Sequence, residues 1–200
     1  MFSLTKMLRE PRTARGVCEL CAEPLAAQRE HGHVVDTTDR RLLCACQACR
    51  ILFDVPGAAR GRFKKLPKRC ARVPAPLFSA AQWEALGIPI GLAFFFENGE
   101  THQLTAFYPG PAGATESLLP LEAWNELRTR EPLLASLEPD VEAVLVHRPP
   151  DGDAQSFIVP IDVCYELTGL VRLRWSGING GDAVREAIAG FVSRLQERAQ

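Results

Sequence analysis

Apolar and polar positions follow two rhythms along this chain. In the second half long apolar runs dominate: "GLAFFFE" leads through Asn98 and Gly99 into "THQLTAFY", and "VEAVLVHR" leads through "PPDGD" into "QSFIVPI". Short apolar runs bounded by turn residues read as strands, so each pair predicts a hairpin. The first carries the Asn-Gly dipeptide whose two-residue turn suits the twist of paired strands. That makes four antiparallel strands. Elsewhere helical spacing takes over. "FSAAQWEALG" sets Ser79 and Gln82 at capping-box separation and predicts a short helix ending at Gly87. "LPLEAWNELRTR" repeats Leu121, Trp124 and Leu127 at helical spacing, with Leu119 ahead of them and Pro120 in the first turn, where its missing amide costs nothing. "DAVREAIAGFVSRLQERA" gathers Val184, Ile188, Phe191, Val192 and Leu195 on one face behind an Asp182 cap, a helix suited to pack on the sheet.

The first half is shorter in phrase. "HVVDTTDRRLLCA" has two apolar runs around a polar turn at Thr37 to Asp39, which predicts a hairpin, and "CQACRILFD" opens a helix behind it. The fold class is therefore α+β. A small treble-clef or zinc-ribbon-like module precedes an antiparallel-sheet domain with packed helices.

Composition sharpens the division. The chain has 200 residues, 46% of them apolar and 24% charged, as expected of a globular protein with a real core. Its net charge of −1 hides an asymmetry. Residues 1–72 carry fifteen Lys or Arg against seven Asp or Glu, while residues 73–200 carry eight against seventeen. Two prolines in "RVPAPLFSAAQ" mark the join. The expected organisation is a flexible tail over 1–16, a four-cysteine metal-binding module over 17–59, a basic linker over 60–76 and the α+β domain over 77–200. The start "MFSLTKMLREPRTAR" lacks the apolar core of a signal peptide, and nowhere do eighteen uncharged apolar residues run together. A cytoplasmic protein without membrane contact is expected.

That expectation bears on the seven cysteines, since cytosolic thiols stay reduced and clustered ones there serve as metal ligands or redox groups. Cys18 and Cys21 form one CxxC, and Cys46 and Cys49 another, with twenty-four residues between the pairs. A CxxC loop curls so that its amides point at sulfur, and two such loops supply the four corners of a thiolate tetrahedron. Cys18, Cys21, Cys46 and Cys49 are thus the metal ligands expected here. Cys44 complicates the set. Two residues before Cys46, it lies on the same side of a strand and could replace Cys46, help to hold a cluster, or be buried. Four closed thiolate positions point to structure rather than hydrolysis, which needs an open position for water. Zinc is the expected cofactor. Iron uses the same four ligands, although neither pair has the proline and glycine usual around rubredoxin cysteines.

Other candidates carry less. His31 and His33, between the CxxC pairs, match the first half of an HNH nuclease layout, but "RILFDVPG" lacks the His or Asn that layout requires on the following helix. They read instead as exposed or as supports for a ligand cysteine. Cys70, among Lys68, Arg69 and Arg72, has the neighbours of an activated thiol but no motif, and Cys164 reads as core. The basic run Arg60 to Arg72 carries seven positive charges and only one aromatic, Phe63, so it lacks the stacking platform of a single-strand binder. It suits a connector leaning on acidic surface or a protein partner better than nucleic acid. "FYPGPAGATES", Phe107 to Ser117, reads as a loop between a strand and a helix that offers Tyr108, Thr115 and Glu116. "WSGINGGDA", Trp175 to Ala183, reads as a second loop that leads into a helix. No GxxxxGK[ST], GxGxxG, GxSxG or HExxH motif occurs, and the chain reads as non-enzymatic.

The segments "CELC", "RRLLCACQAC", "IPIGLAFFF", "AFYPGPAGATES", "PDVEAVLV" and "VPIDVCYELTGLVR" run from Cys18 to Arg172. In them the chain resembles a family of uncharacterised bacterial proteins encoded in gene clusters for high-affinity nickel-iron hydrogenases of the actinobacterial type. The resemblance implies an accessory role in assembling or maturing such a hydrogenase, with a hydrogenase subunit or another maturation protein as partner. A rubredoxin-like iron carrier for a hydrogenase, and a zinc-module nucleic-acid-binding protein, are the alternatives.

Overall fold

The computed structural model describes residues 16–25, 32–39, 41–55, 57–88, 90–118, 121–150, 152–177 and 180–199. The expected N-terminal tail, apart from Gly16, lies outside these residues, as do His31, Leu119 and Pro120. The chain divides into two compact units between Pro67 and Lys68.

The first unit is built on the expected hairpin. β1 (Gly32–Asp36) pairs antiparallel with β2 (Arg41–Ala45), His33 opposite Cys44 and Val34 opposite Leu43. Asp36 makes the turn: its Oδ1 accepts from the amides of Thr38 and Asp39, an Asx turn that begins the reversal. Its carboxylate also takes the Arg62 guanidinium at 2.7 Å, and Thr37 donates its hydroxyl to the carbonyls of Gly61 and Arg62. These bonds hold β3 (Phe63–Lys65) along the free side of β1, giving the order β2-β1-β3. α1 (Gln47–Leu52) follows β2 directly. The central cluster is small: Cys18, Val34, Ala45 and Cys49, with Leu20, Leu25, Phe53 and Phe63 against it. A buried Val or Leu contributes only about 1.5–3 kcal/mol, so a core this thin calls for a staple.

The second unit needs none. Its six strands are β4 (Ala71–Val73), β5 (Leu92–Glu97), β6 (Leu104–Gly110), β7 (Gly113–Leu118), β8 (Glu142–His147) and β9 (Gln155–Pro160). They pair antiparallel in the order β4-β9-β8-β5-β6-β7. One face carries Ala93, Phe95, Ala106, Val144, Val146 and Ile158. Against it pack Trp83 of α2 (Ala80–Ala85), Trp124 and Leu127 of α3 (Leu121–Arg130) and Leu134 of α4 (Pro132–Ala135). The other face includes Phe94 and Phe96, both stacked on Phe107 at 5.4 and 5.1 Å. α5 (Ile161–Arg174) packs against β6, β7, β8 and β9, and α6 (Gly181–Arg198) against α5. Helices on both faces explain why every residue of β5 is buried and why its run is apolar without alternation. β5 and β8 also approach closely at one end: Arg148 donates its amide to the Gly91 carbonyl at 2.6 Å, and a Cβ on Gly91 would fall 1.9 Å from the Arg148 oxygen. Only glycine fits there.

Several expectations are met residue by residue. Ser79 and Gln82 form a reciprocal capping box on α2. β8 and β9 are the expected second hairpin, Glu142 opposite Pro160 and His147 opposite Gln155. The five residues read as the inner face of the C-terminal helix are the buried ones of α6.

Others need correction. The β5–β6 connection is six residues long, not a two-residue Asn-Gly turn, because Glu97 pairs with Leu104. Asn98 folds the loop instead: its Oδ1 accepts from the amides of Glu100 and Thr101 and from the Thr101 hydroxyl, and its carbonyl accepts the His102 amide. His102 takes the left-handed conformation, φ 53°, that closes the loop. The stretch Phe107 to Ser117 is not a loop but most of the β6–β7 hairpin, Gly110 opposite Gly113 and Tyr108 opposite Thr115. Pro109 is tolerated there because pairing with β5 stops at Phe107, so its missing amide breaks no bond. The sheet accordingly has six strands rather than four. α5 was hidden behind the apolar run of β9, although Ile161, Cys164, Leu167 and Val171 recur at helical spacing and are all buried. Finally, α6 is capped by Gly180 at φ 82°, and Asp182 sits inside its first turn paired with Arg185.

Candidate metal centre

Residues 16–25 form a knuckle. Leu25 donates its amide to the Gly16 carbonyl at 2.6 Å, Cys18 to Glu23 at 2.7 Å, and Ala22 to Cys18 at 2.8 Å, with Ala22 at φ 62° making the reversal. Glu19 fastens the knuckle to β2 twice: its amide donates to the Cys44 carbonyl at 2.9 Å, and its carboxylate accepts the Cys44 amide at 2.7 Å. The second CxxC straddles the start of α1, with Cys46 as its N-cap and Cys49 one turn in. Cys46 gives its helix no side-chain cap. Its sulfur lies 3.7 Å from that of Cys21 instead.

The Sγ atoms of Cys18, Cys21, Cys46 and Cys49 all lie within 4.8 Å of one another. A tetrahedral thiolate centre with metal–sulfur bonds of about 2.3 Å has edges of roughly 3.8 Å. The 3.7 Å edge matches that figure and far exceeds the roughly 2.05 Å of a disulfide. All seven cysteines are free thiols. The four spacing-derived ligands are therefore the four that converge, and their donor set fits a metal ion.

Electrostatics within the cluster are uneven. Burial opposes ionisation of Cys18, but the amides of Cys46, Leu20 and Cys21 point at its sulfur and hold the thiol down at about 6. Burial and the three neighbouring thiols push Cys49 up. Four thiolates at this spacing repel one another, and a bound cation removes that repulsion.

Of the readings left open for Cys44, the structure puts its sulfur outside the converging four. Its backbone is bonded to Glu19 and its thiol is pushed up by burial and by the Glu19 carboxylate. His33 lies opposite Cys44 on β1, and its carbonyl accepts from Leu66. Cys70 points its thiol at the Leu195 carbonyl, 3.9 Å away, and burial pushes it up although Arg198 pulls the other way. Its neighbour Arg69 is occupied with Glu142. Cys164 is wholly buried in α5.

The basic run is also partly consumed inside the fold. Arg62 pairs with Asp36 and Asp39, Lys65 with Asp54 at 2.6 Å, and Arg69 with the buried Glu142 at 2.6 Å. Tyr108 and Thr115 face each other across paired strands. In the loop from Trp175 the indole donates to the Gly177 carbonyl, and Ser176 to that of Gly180. Sequence reasoning missed Glu19. Its position inside the first CxxC was the available signal.

Among the described residues no helix is long and apolar enough to cross a membrane. A family model described as a family of unknown function, DUF5947, matches residues 17–199, which takes in both units and all four converging cysteines. No curated protein and no solved structure matches the chain.

Proposed function

The chain belongs to the DUF5947 family, and from its four-sulfur geometry we propose that it is a non-enzymatic, cytoplasmic, zinc-binding accessory protein. In this reading residues 17–59 fold around the ion, and the α+β domain docks onto a protein partner. The partner is a nickel-iron hydrogenase subunit or another maturation protein, an assignment that rests on the sequence resemblance. The convergence of Cys18, Cys21, Cys46 and Cys49 carries the metal part. Four protein thiolates close the coordination sphere and leave no position for a reactive water, which favours a structural role. Arg62, Lys65 and Arg69, bound to Asp36, Asp54 and Glu142, have less charge to offer a phosphate backbone, which favours a protein partner over nucleic acid.

One observation favours a second reading. Cys21 is exposed and Cys46 half-exposed, so one edge of the tetrahedron reaches the surface, as an iron centre passing single electrons requires. Metal analysis and the visible spectrum of freshly purified protein separate the two. Zinc predicts one ion per chain and a colourless solution, while absorption that bleaches on reduction assigns iron. A protein that purifies without metal and takes up neither overturns both. The hydrogenase-subunit assignment is tested by retention of purified nickel-iron hydrogenase on the immobilised protein, and absence of retention at micromolar concentration overturns that assignment.

A further inference from the structure

The four sulfurs are not equivalent toward solvent. Cys18 and Cys49 are 1% and 7% exposed, whereas Cys21 is open to solvent and Cys46 half-open. The two accessible sulfurs come from different CxxC pairs and lie 3.7 Å apart. Cys21 sits on the knuckle and Cys46 where β2 gives way to α1, so a bond between them joins segments already held together by the Glu19–Cys44 hydrogen bonds. Closing from 3.7 Å to the roughly 2.05 Å of a disulfide takes about 1.7 Å of approach.

We propose that Cys21 and Cys46 form an oxidation site at which a hydroperoxide converts the metal-binding module into a disulfide form. The inference rests on the metal-binding reading above and adds a chemical switch to it. The Cys21 thiolate attacks the peroxide; an S–O bond forms, the O–O bond breaks, and the departing hydroxide takes a proton to become water. The Cys46 thiolate then attacks the Cys21 sulfur; the S–S bond forms, the S–O bond breaks, and a second hydroxide leaves as water. Two thiolates, one hydrogen peroxide and two protons thus give one disulfide and two waters, with two electrons passing from sulfur to peroxide. Cys18 and Cys49 remain as the only protein ligands, too few for a structural site. Oxidation therefore releases the ion, and a dithiol reductant restores the site. Cys18 and Cys49 are shielded from the oxidant by burial, and Cys44 lies outside the converging set.

The test uses the full chain as purified, with metal content measured first, so that loss of the metal-binding reading shows before any oxidant is added. Hydrogen peroxide is then titrated in. Released metal is followed with a chromophoric chelator, and the disulfide is located by mass spectrometry of a non-reduced digest. The expected result is one Cys21–Cys46 disulfide per ion released, reversed by dithiothreitol, with Cys44→Ser and Cys70→Ser leaving the release rate unchanged. If the metal is absent, the same mapping on the reduced chain still tests the pairing. A disulfide within either CxxC, a disulfide containing Cys44, or metal release without a disulfide overturns the proposal.

Discussion

Both units of this protein are built on antiparallel sheets, yet their interiors differ in kind. Residues 68–199 wrap a six-stranded sheet in helices on both faces, and Phe95, Phe107, Phe157, Leu145 and Leu167 are wholly buried there. The described residues of 16–67 assemble three short strands, a six-residue α-helix and a short 3-10 turn at Ala58–Gly61 around a cluster in which two of four buried members are cysteines. The larger unit is held by apolar area, which scales with the number of layers. The smaller has too little of it, and its four converging sulfurs stand where a larger domain would place a core.

Four measurements would break or sharpen that contrast. The largest effect is expected on removing the ion proposed for the four sulfurs. Coordination by four thiolates contributes about 10–16 kcal/mol to small zinc modules, so a strong chelator should abolish amide-exchange protection over 32–45 while leaving 92–97 protected. Retained protection over 32–45 in metal-free protein would show that the small core suffices. Next comes Phe95→Ala, packed on Phe78 at 5.2 Å in the centre of the larger unit. It should cost about 3–5 kcal/mol by chemical denaturation while the metal content stays unchanged; a loss of metal would show that the units do not fold independently.

A smaller effect is expected at Arg69. It gives two hydrogen bonds to the buried Glu142 and one each to the hydroxyl and carbonyl of Ser136. Stranding a buried carboxylate costs about 3–5 kcal/mol, and Arg69 is about one-third exposed, so Arg69→Met should cost about 2–3 kcal/mol. The double variant Arg69→Met with Glu142→Gln should recover part of it, and a loss equal to that of the single variant would mean that the charge pairing is not the cause. The smallest effect is a slope. His147 is held below its ordinary value of 6.5 by burial, with Nδ1 unpartnered, so the unfolded chain binds a proton there that the folded unit does not. Stability of the larger unit should therefore fall as pH drops from about 6.5 toward the lower folded value and level off beneath it. His147→Gln should flatten that segment of the profile, and an unchanged slope would assign it elsewhere.

The contrast between the units also sorts what could be read from the chain. The convergence of the four sulfurs was legible because each CxxC is a local device: the spacing of Cys18 from Cys21, and of Cys46 from Cys49, sets where the amides and sulfurs go. The capping box of Ser79 and Gln82 and the inner face of α6 were legible for the same reason, since a helical turn involves only near neighbours. The hairpin over 107–117 was obscured by its glycines and prolines, which favour a loop locally and are overruled by pairing along the whole of β6. α5 was obscured because a buried strand and a buried helix, read end to end, form one apolar run.

Short-range chemistry, then, was written in the order of the residues: paired thiols, turn signals, apolar stripes, the opposite charges of the two halves. The order of strands in the sheet, the exclusion of Cys44 from the sulfur cluster, the burial of Glu142 beside an arginine 73 positions earlier and the opening of Cys21 to solvent were settled by folding alone. Each of these depends on burial. Burial at any one atom is set by segments distant in sequence, and no local pattern records their arrival.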